Sequence, residues 1–475
     1  MLERSHGRLC LVVITLWCIV ELGGYGERAL GSVRDPFLEL RGIWERTGYG
    51  DLYVIGKKRV AVYQYTRASC LQSERLNKRE FAELFTDIVV QTDGMAFTAI
   101  YPDEPAFRRR FSRLISLPEV CSEEQRITKF VPTRIFDHVW HTFNDYYAFF
   151  KERDVDWPAQ YAALRGQIDD RMSKHALFAR LRKLLSPIDD GHVYIESNAE
   201  EFSPEKPRGV DVILSEGYRH QLKSDKYREY ASSQMKRYRE VLSSYLDRSS
   251  RRQAGGTRSD QLVWGTIDRR VGFLLVESMN SISTKRDASS LDDVKAVQTI
   301  MEQVMADLRD TEAMVIDVRF NGGGDDAVSL AIANRFTDKP KLAITKSARS
   351  YRGETPRREA YLIPEGDTPY LKPVVVISGP DSASATEIFI MAMRVLPHVT
   401  QLGEVTNGIL SDELHKSLPK GWEFTLSNEV YYDHEGINHE ATGIVPHIQA
   451  QVFSLKDLDS GRDSALEAAL NTLLP

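Results

Sequence analysis

The chain has 475 residues, enough for two to four domains at roughly 100–200 residues each. Its 62 Lys and Arg against 68 Asp and Glu leave a net charge of −6. That near balance excludes a global field of the kind that gathers nucleic acid, and no nucleic-acid partner is expected.

Residues 1–29 read as a secretory signal peptide. Arg4, His6 and Arg8 come first, then an apolar run from Leu9 to Val20, then Gly23, Gly24, Gly26 and Ala29. The run is shorter than the ~20 apolar residues of a membrane span. An uncleaved anchor is the alternative, and a membrane partner is expected only in that case. Removal of the leader takes Cys10 and Cys18 and leaves Cys70 and Cys121. A disulfide between those two is expected in an exported chain, with two unpaired buried thiols as the alternative.

Residues 30–130 read as a β-rich domain. Asp51–Ile55, Val60–Tyr65, Ile88–Val90 and Ala96–Tyr101 are rich in β-branched and aromatic residues. A small antiparallel sheet or barrel accounts for them. Residues 131–190 read as helical. Ile135, Val139, Trp140, Phe143, Tyr146 and Tyr147 recur at helical spacing. Asp156-Trp157-Pro158 caps a second helix, and a third runs from Ser173 to Leu185. Asp190-Gly191-His192 then makes a turn ahead of a strand, Val193–Ile195. His192 has the side chain best suited to base chemistry near neutral pH, although a histidine at such a junction is commonly structural.

Residues 191–260 continue as a charged insert, with a helix over Lys223–Leu246 and a flexible link over Arg248–Ser259. Residues 261–475 read as an α/β core. Val263–Ile267 and Val271–Val276 are strands, Leu291–Leu308 a helix, and Ala313–Val318 a buried strand. Arg319-Phe320-Asn321-Gly322-Gly323-Gly324 follows, so the segment is a βαβ unit ending in a glycine-rich turn. Leu371–Ile390 repeats the pattern: strand Val374–Ile377, a Ser378-Gly379-Pro380-Asp381 break, then a helix start at Ser384. A serine there can expose its hydroxyl, with the Ala385 amide facing an anion. Gly322, Gly323 or Gly324 can supply the second amide of an oxyanion pocket. A tight turn and an ordinary helix cap are the structural alternatives.

These pieces together resemble the carboxyl-terminal processing (tail-specific) serine peptidases and their tricorn-core relatives. The matching motifs are Asp190-Gly191-His192, Asp317 to Gly324, Ser382 to Glu387, Gly403 to Gly408 and Glu440 to Pro446, in the family's order. The resemblance implies an α/β core of the ClpP/crotonase-like type with βαβ units, preceded by a helical bundle and a small N-terminal β domain. It also implies a peptide or protein substrate, Ser384 as nucleophile and no cofactor. Ile409 stands where the tail-specific branch has a lysine base, and Lys416 is too far along to replace it. His192 matches the base of the tricorn-like branch, without the serine that precedes it there, and Glu440 matches the late glutamate. The expected set is therefore Ser384, His192 as base and Glu440 as its orienter, with Glu404 and Asp190 competing for the last role. No PDZ carboxylate loop precedes Leu262. His447 replaces the usual aspartate after Pro446 and is expected at the surface. His434, Glu435, His439 and Glu440 crowd one loop without metal-ligand spacing, so no metal is expected. Three functions stay open: an exported serine peptidase, a non-catalytic binder of peptide or apolar ligand, and an esterase-like hydrolase. The sequence leaves the oligomeric state open.

Overall fold

The structure is a computed structural model that describes residues 27–29, 39–102, 104–221, 226–256 and 261–474. The expected leader lies almost wholly outside the described residues. Among them, no helix is long and apolar enough to cross a membrane.

The N-terminal region is an eight-stranded antiparallel sheet. Along the sheet its strands run Glu27–Ala29, Asp87–Gln91, Ala96–Ile100, Arg108–Leu114, Gly42–Arg46, Asp51–Ile55, Arg59–Tyr65 and Cys70–Asn77. Its end strands do not pair with each other, so it is an open sheet rather than a barrel. Trp44, Phe97 and Phe111 fill its core, with the two Phe rings stacked at 4.3 Å. Cys70 and Cys121 form a disulfide, tying the last strand to the segment that leads into the helices.

Three helices follow, Pro132–Tyr146, Trp157–Leu164 and Lys174–Leu185. Ile135, Val139, Phe143 and Tyr146 are buried as their spacing requires. Their partners are not only each other. Leu414, Trp422, Phe424 and Leu426, far along the chain, complete the same core. These last residues belong to a small sheet ordered Glu201–Phe202, Ile195–Glu196, Trp422–Ser427, Glu413–Leu418. That sheet joins the segment after His192 to the C-terminal part of the molecule.

The insert holds two helices, Gly209–Gln221 and Tyr227–Tyr245. The first lies within a stretch read from the sequence only as charged. Arg252–Ala254, within the expected flexible link, instead pairs antiparallel with Leu262–Ile267. Hydrogen bonding at an open sheet edge overrides a polar, glycine-containing sequence there.

The main sheet has seven strands in the order Arg252–Ala254, Leu262–Ile267, Val271–Val276, Ala313–Asp317, Val374–Ser378, Val399–Gly403, Ile448–Gln449. It is parallel from Val271–Val276 onward. Every residue of Ala313–Asp317 and Val374–Ser378 is buried, which explains their unbroken apolar runs. Helices Ser290–Leu308, Asp326–Ala333 and Ala385–Arg394 pack together with this sheet in one core. The turns after the two central parallel strands are the glycine-rich turn and the Ser384 turn. They lie side by side at the strands' C-terminal ends, where α/β sheets place ligands.

Candidate active site

Ser384 is the N-cap of helix Ala385–Arg394 and has φ 55° and ψ −127°. A non-glycine residue in that region is strained and persists only where its surroundings over-determine it. They do so here. The Ser384 amide donates to the Ile409 carbonyl at 2.8 Å, and the Ala383 amide to that of Asn321 at 3.2 Å. Ser382 Oγ donates to the Val318 carbonyl at 2.8 Å and accepts from the Gly379 amide at 3.0 Å.

The fully buried Glu387 adds the strongest tie. Its carboxylate accepts from Thr406 Oγ1 at 2.5 Å, the Gly408 amide at 2.9 Å, the Ile409 amide at 3.0 Å and the Ser384 amide at 3.3 Å. Burial pushes Glu387 up to about 7, and its hydrogen-bond donors pull the other way. Its role went unread in the sequence. The signal was the Ser-x-x-Glu spacing of a capping box, Ser384 to Glu387.

The three glycines do different work. The Gly323 amide donates to Asn321 Oδ1 at 2.9 Å, so it is not a free oxyanion donor, contrary to one sequence expectation. Gly323 is a glycine for space: a Cβ there would lie 2.7 Å from Ser384 Cβ and 3.2 Å from the Ala385 nitrogen. Gly324, at φ 138°, is pressed against the Met279 backbone. Gly322 faces open space. Among the described residues the Gly322 and Ala385 amides donate to no backbone or side-chain acceptor, so both are available to an anion.

His192 sits on an equally fixed turn. Asp190 is fully buried; its Oδ1 accepts from the His192 amide at 3.0 Å and its Oδ2 from Tyr147 Oη at 2.8 Å. Thr425 Oγ1 donates to the His192 carbonyl at 2.7 Å. His192 Nδ1 is buried with no hydrogen-bond partner among the described residues. A Cβ on Gly191 would lie 2.9 Å from Ile409 Cδ1 and 3.0 Å from the Glu205 carboxylate carbon. Ile409 thus fills the space a larger residue at 191 would need. The two turns meet at Ile409: its carbonyl holds Ser384 and its side chain abuts Gly191.

Glu440 does not touch the imidazole. Its Oε1 accepts from Arg153 Nη2 at 2.5 Å, and its Oε2 from the Leu410 and Ser411 amides at 2.8 and 3.1 Å. Of the ways Glu440 could act as orienter, direct contact is not the one seen: the carboxylate is committed to a cation and two backbone amides. Burial and the Asp190 charge push Glu440 up to about 8, while Arg153 and the Leu410 amide oppose this. The Arg153 side chain, 3% exposed, is the clamp. It reaches Glu440, Asp190 at 3.4 Å, the Gly408 carbonyl at 3.4 Å and the Asp189 carbonyl. Asp190 meets His192 only through the backbone, and Glu404 accepts from the Val452 amide at 3.1 Å. Glu205, by contrast, faces the His192 turn and was not foreseen; its segment reads only as a charged stretch.

Neither buried lysine of this region replaces the family base. Lys416 Nζ is held by Asp51 Oδ1 at 2.5 Å and the Tyr49 carbonyl at 2.7 Å. Lys346 Nζ sits among Glu104, Asp412 and Glu429 at 3.1, 2.6 and 2.8 Å. Those three carboxylates converge as metal ligands would, but the ammonium already occupies their centre, with Arg109 beside it. His447 Nδ1 accepts from the Gln401 amide at 3.0 Å, a structural use, and His439 Nε2 pairs with Asp433 at 2.8 Å. His434 and Glu435 point to solvent.

Two regions of the chain are similar to known peptidases. Residues 270–450 match peptidase family S41, and residues 132–186 match the tricorn protease C1 domain. Residues 270–450 are thus similar to the peptidases of family S41, and the helical region before them to the tricorn C1 domain. A carboxy-terminal-processing protease of Bartonella bacilliformis is 26% identical over 153 residues, 32% of this chain and 34% of that protein. The chain therefore matches about a third of that curated relative's length. A crystal structure of a candidate peptidase from Parabacteroides merdae is 26% identical, with a TM-score of 0.58 over 73% of this chain and 98% of that one. The photosystem II D1 C-terminal processing protease is 13% identical, with a TM-score of 0.41 over 73% and 98% of the two chains. The S41 fold, a ClpP/crotonase-like core with a mixed sheet, accompanies the N-terminal β domain and the helical region described above.

Proposed function

We propose that this chain is a serine peptidase that hydrolyses peptide bonds through an acyl-enzyme. The observation that carries the reading is the shared packing of the Ser384 and His192 turns on Ile409. In this reading His192 takes the Ser384 hydroxyl proton as Oγ attacks the scissile carbonyl. The amides of Gly322 and Ala385 receive the oxyanion. The imidazolium then protonates the departing amine, and the same groups run in reverse with water to release the acid. Glu440 and Arg153 are positioning residues that hold the two turns together, since neither touches the imidazole.

Export is part of the proposal. The basic-then-apolar N-terminus and the Cys70–Cys121 disulfide both suit an oxidising compartment, periplasmic or extracellular.

The test is turnover of a peptide library followed by mass spectrometry. Fragments are expected from the wild type and not from Ser384→Ala, and His192→Ala is expected to lose roughly 10²–10⁴-fold in kcat. Ester turnover without peptide turnover would favour the esterase reading. A second reading, a non-catalytic peptide binder, is favoured by one observation: His192 Nδ1 has no carboxylate on it to steady an imidazolium. Peptide binding without turnover would establish it.

A further inference from the structure

We infer that the cavity beside the Ser384 turn receives a long basic side chain, Lys or Arg, of the peptide substrate. This deepens, and rests on, the peptidase reading. The cavity, about 380 Å³, lies where the two insert helices face the C-terminal core. Its walls are the apolar side chains of Val210, Leu214, Met235 and Phe320, and its polar groups include the carboxylates of Asp211 and Asp381. Phe320 stands two residues before Gly322 and Asp381 three before Ser384, so the cavity borders both loops of the proposed reaction centre.

The charges decide which side chain fits. Arg239 also lines the cavity but is bound bidentately to Glu277, at 2.8 and 3.2 Å. Asp381 Oδ2 accepts from the Val210 amide at 2.9 Å, and Asp211 Oδ1 from Tyr227 Oη at 3.3 Å. Among the described residues neither carboxylate has a cationic partner. The other charges bearing on Asp381 are carboxylates too: Asp211, Glu404 and Glu205 all raise its pKa, while the Val210 hydrogen bond lowers it. Arg208, the cation nearest in sequence, is engaged by Asp189 at 2.9 Å. A Lys or Arg side chain lays an apolar stem on Leu214, Met235 and Phe320 and brings its own cation to Asp381. A purely apolar side chain would instead leave a half-buried carboxylate facing it.

The experiment measures binding, so its outcome does not depend on turnover. Fluorescein-labelled peptides with one Lys, Arg or norleucine in a Gly/Ala/Ser background are titrated by anisotropy against the full chain carrying Ser384→Ala. Lys and Arg peptides are expected to bind about tenfold tighter than the norleucine peptide. That preference is expected to vanish when Asp381→Asn is added. It is also expected to vanish with Met235→Lys, which places a tethered cation in the cavity from a helix remote from the turn. Circular dichroism establishes that each variant is folded, and Met235→Lys decides if Asp381→Asn is not. Equal binding of the three peptides, or a preference that survives Met235→Lys, overturns the proposal. Wild-type turnover is scored separately. Its absence beside a Lys/Arg preference sinks the peptidase reading and leaves the pocket standing.

Discussion

At Gly323 two constraints coincide, a backbone φ of 111° and a Cβ position 2.7 Å from Ser384 Cβ. Gly323→Ala must therefore strain its own backbone and displace the serine. We expect a loss of about 1–3 kcal/mol in stability by denaturant titration, and a fall in kcat larger than the change in KM. Asp381 gives a pH prediction. Burial, with Asp211, Glu404 and Glu205 nearby, pushes it up to about 6. It must be ionised to hold a cation, so any preference for Lys and Arg peptides is present above pH 6 and fades as pH falls through that value. A preference that stays flat from pH 8 to pH 5 in the anisotropy assay would contradict this. At this scale the sequence shows the chemistry but not its wiring. His192 and Ser384 are legible because each sits in a local turn with its own Gly, Pro and Asp signals. Arg153 and its partner Glu440 are 287 residues apart, and no local pattern announces a pair that only the fold creates.

The segment from Thr406 to Asp412 is the element on which the site depends. Thr406, Gly408 and Ile409 bind Glu387, Ile409 binds Ser384, Leu410 and Ser411 bind Glu440, and Asp412 binds Lys346. Arg153 fastens this loop to the His192 turn. Arg153→Met would leave Asp190 and Glu440 buried without their cation, and removing one partner of a buried pair costs about 3–5 kcal/mol. A lower Tm with a disproportionate fall in kcat is expected, and a full recovery of kcat in folded protein would contradict the clamp. Ile409→Lys is expected not to rescue His192→Ala, because the side chain at 409 is aimed at Gly191. Apolar periodicity made the core strands and the Pro132–Tyr146 helix readable. The strand Arg108–Leu114 was not, because its arginines look like surface until their partners are known; Arg109 is 2% exposed and bound to Glu429.

Across the whole molecule, the N-terminal sheet is fastened to the C-terminal core by buried charge, beside apolar contacts of Tyr49, Leu71 and Phe107. Lys416 binds Asp51, while Arg109 and Tyr49 bind Glu429 and Arg358 joins them. Such pairs are weak sources of net stability but costly to break singly. Asp51→Asn strands the Lys416 ammonium, which burial already pulls below its ordinary pKa. The variant is expected to melt earlier, with both regions unfolding together. Two separate transitions in the wild type would contradict that coupling. Reduction of the Cys70–Cys121 disulfide, spanning 51 residues, is expected to lower stability by about 2–4 kcal/mol, read as a drop in Tm under dithiothreitol. This scale was the least legible in advance. The sequence predicts a β region and an α/β core, yet the ion pairs that join them lie as much as 365 residues apart.

The central claim is that the Ser384 hydroxyl and the His192 imidazole serve one reaction centre, and labelling by a fluorophosphonate probe tests it most directly. One adduct per chain is expected, mapped by peptide mass spectrometry to Ser384, absent in Ser384→Ala and formed roughly 10²–10⁴-fold more slowly in His192→Ala. Labelling of folded chain at an unchanged rate in His192→Ala, or an adduct on a different residue, would contradict it.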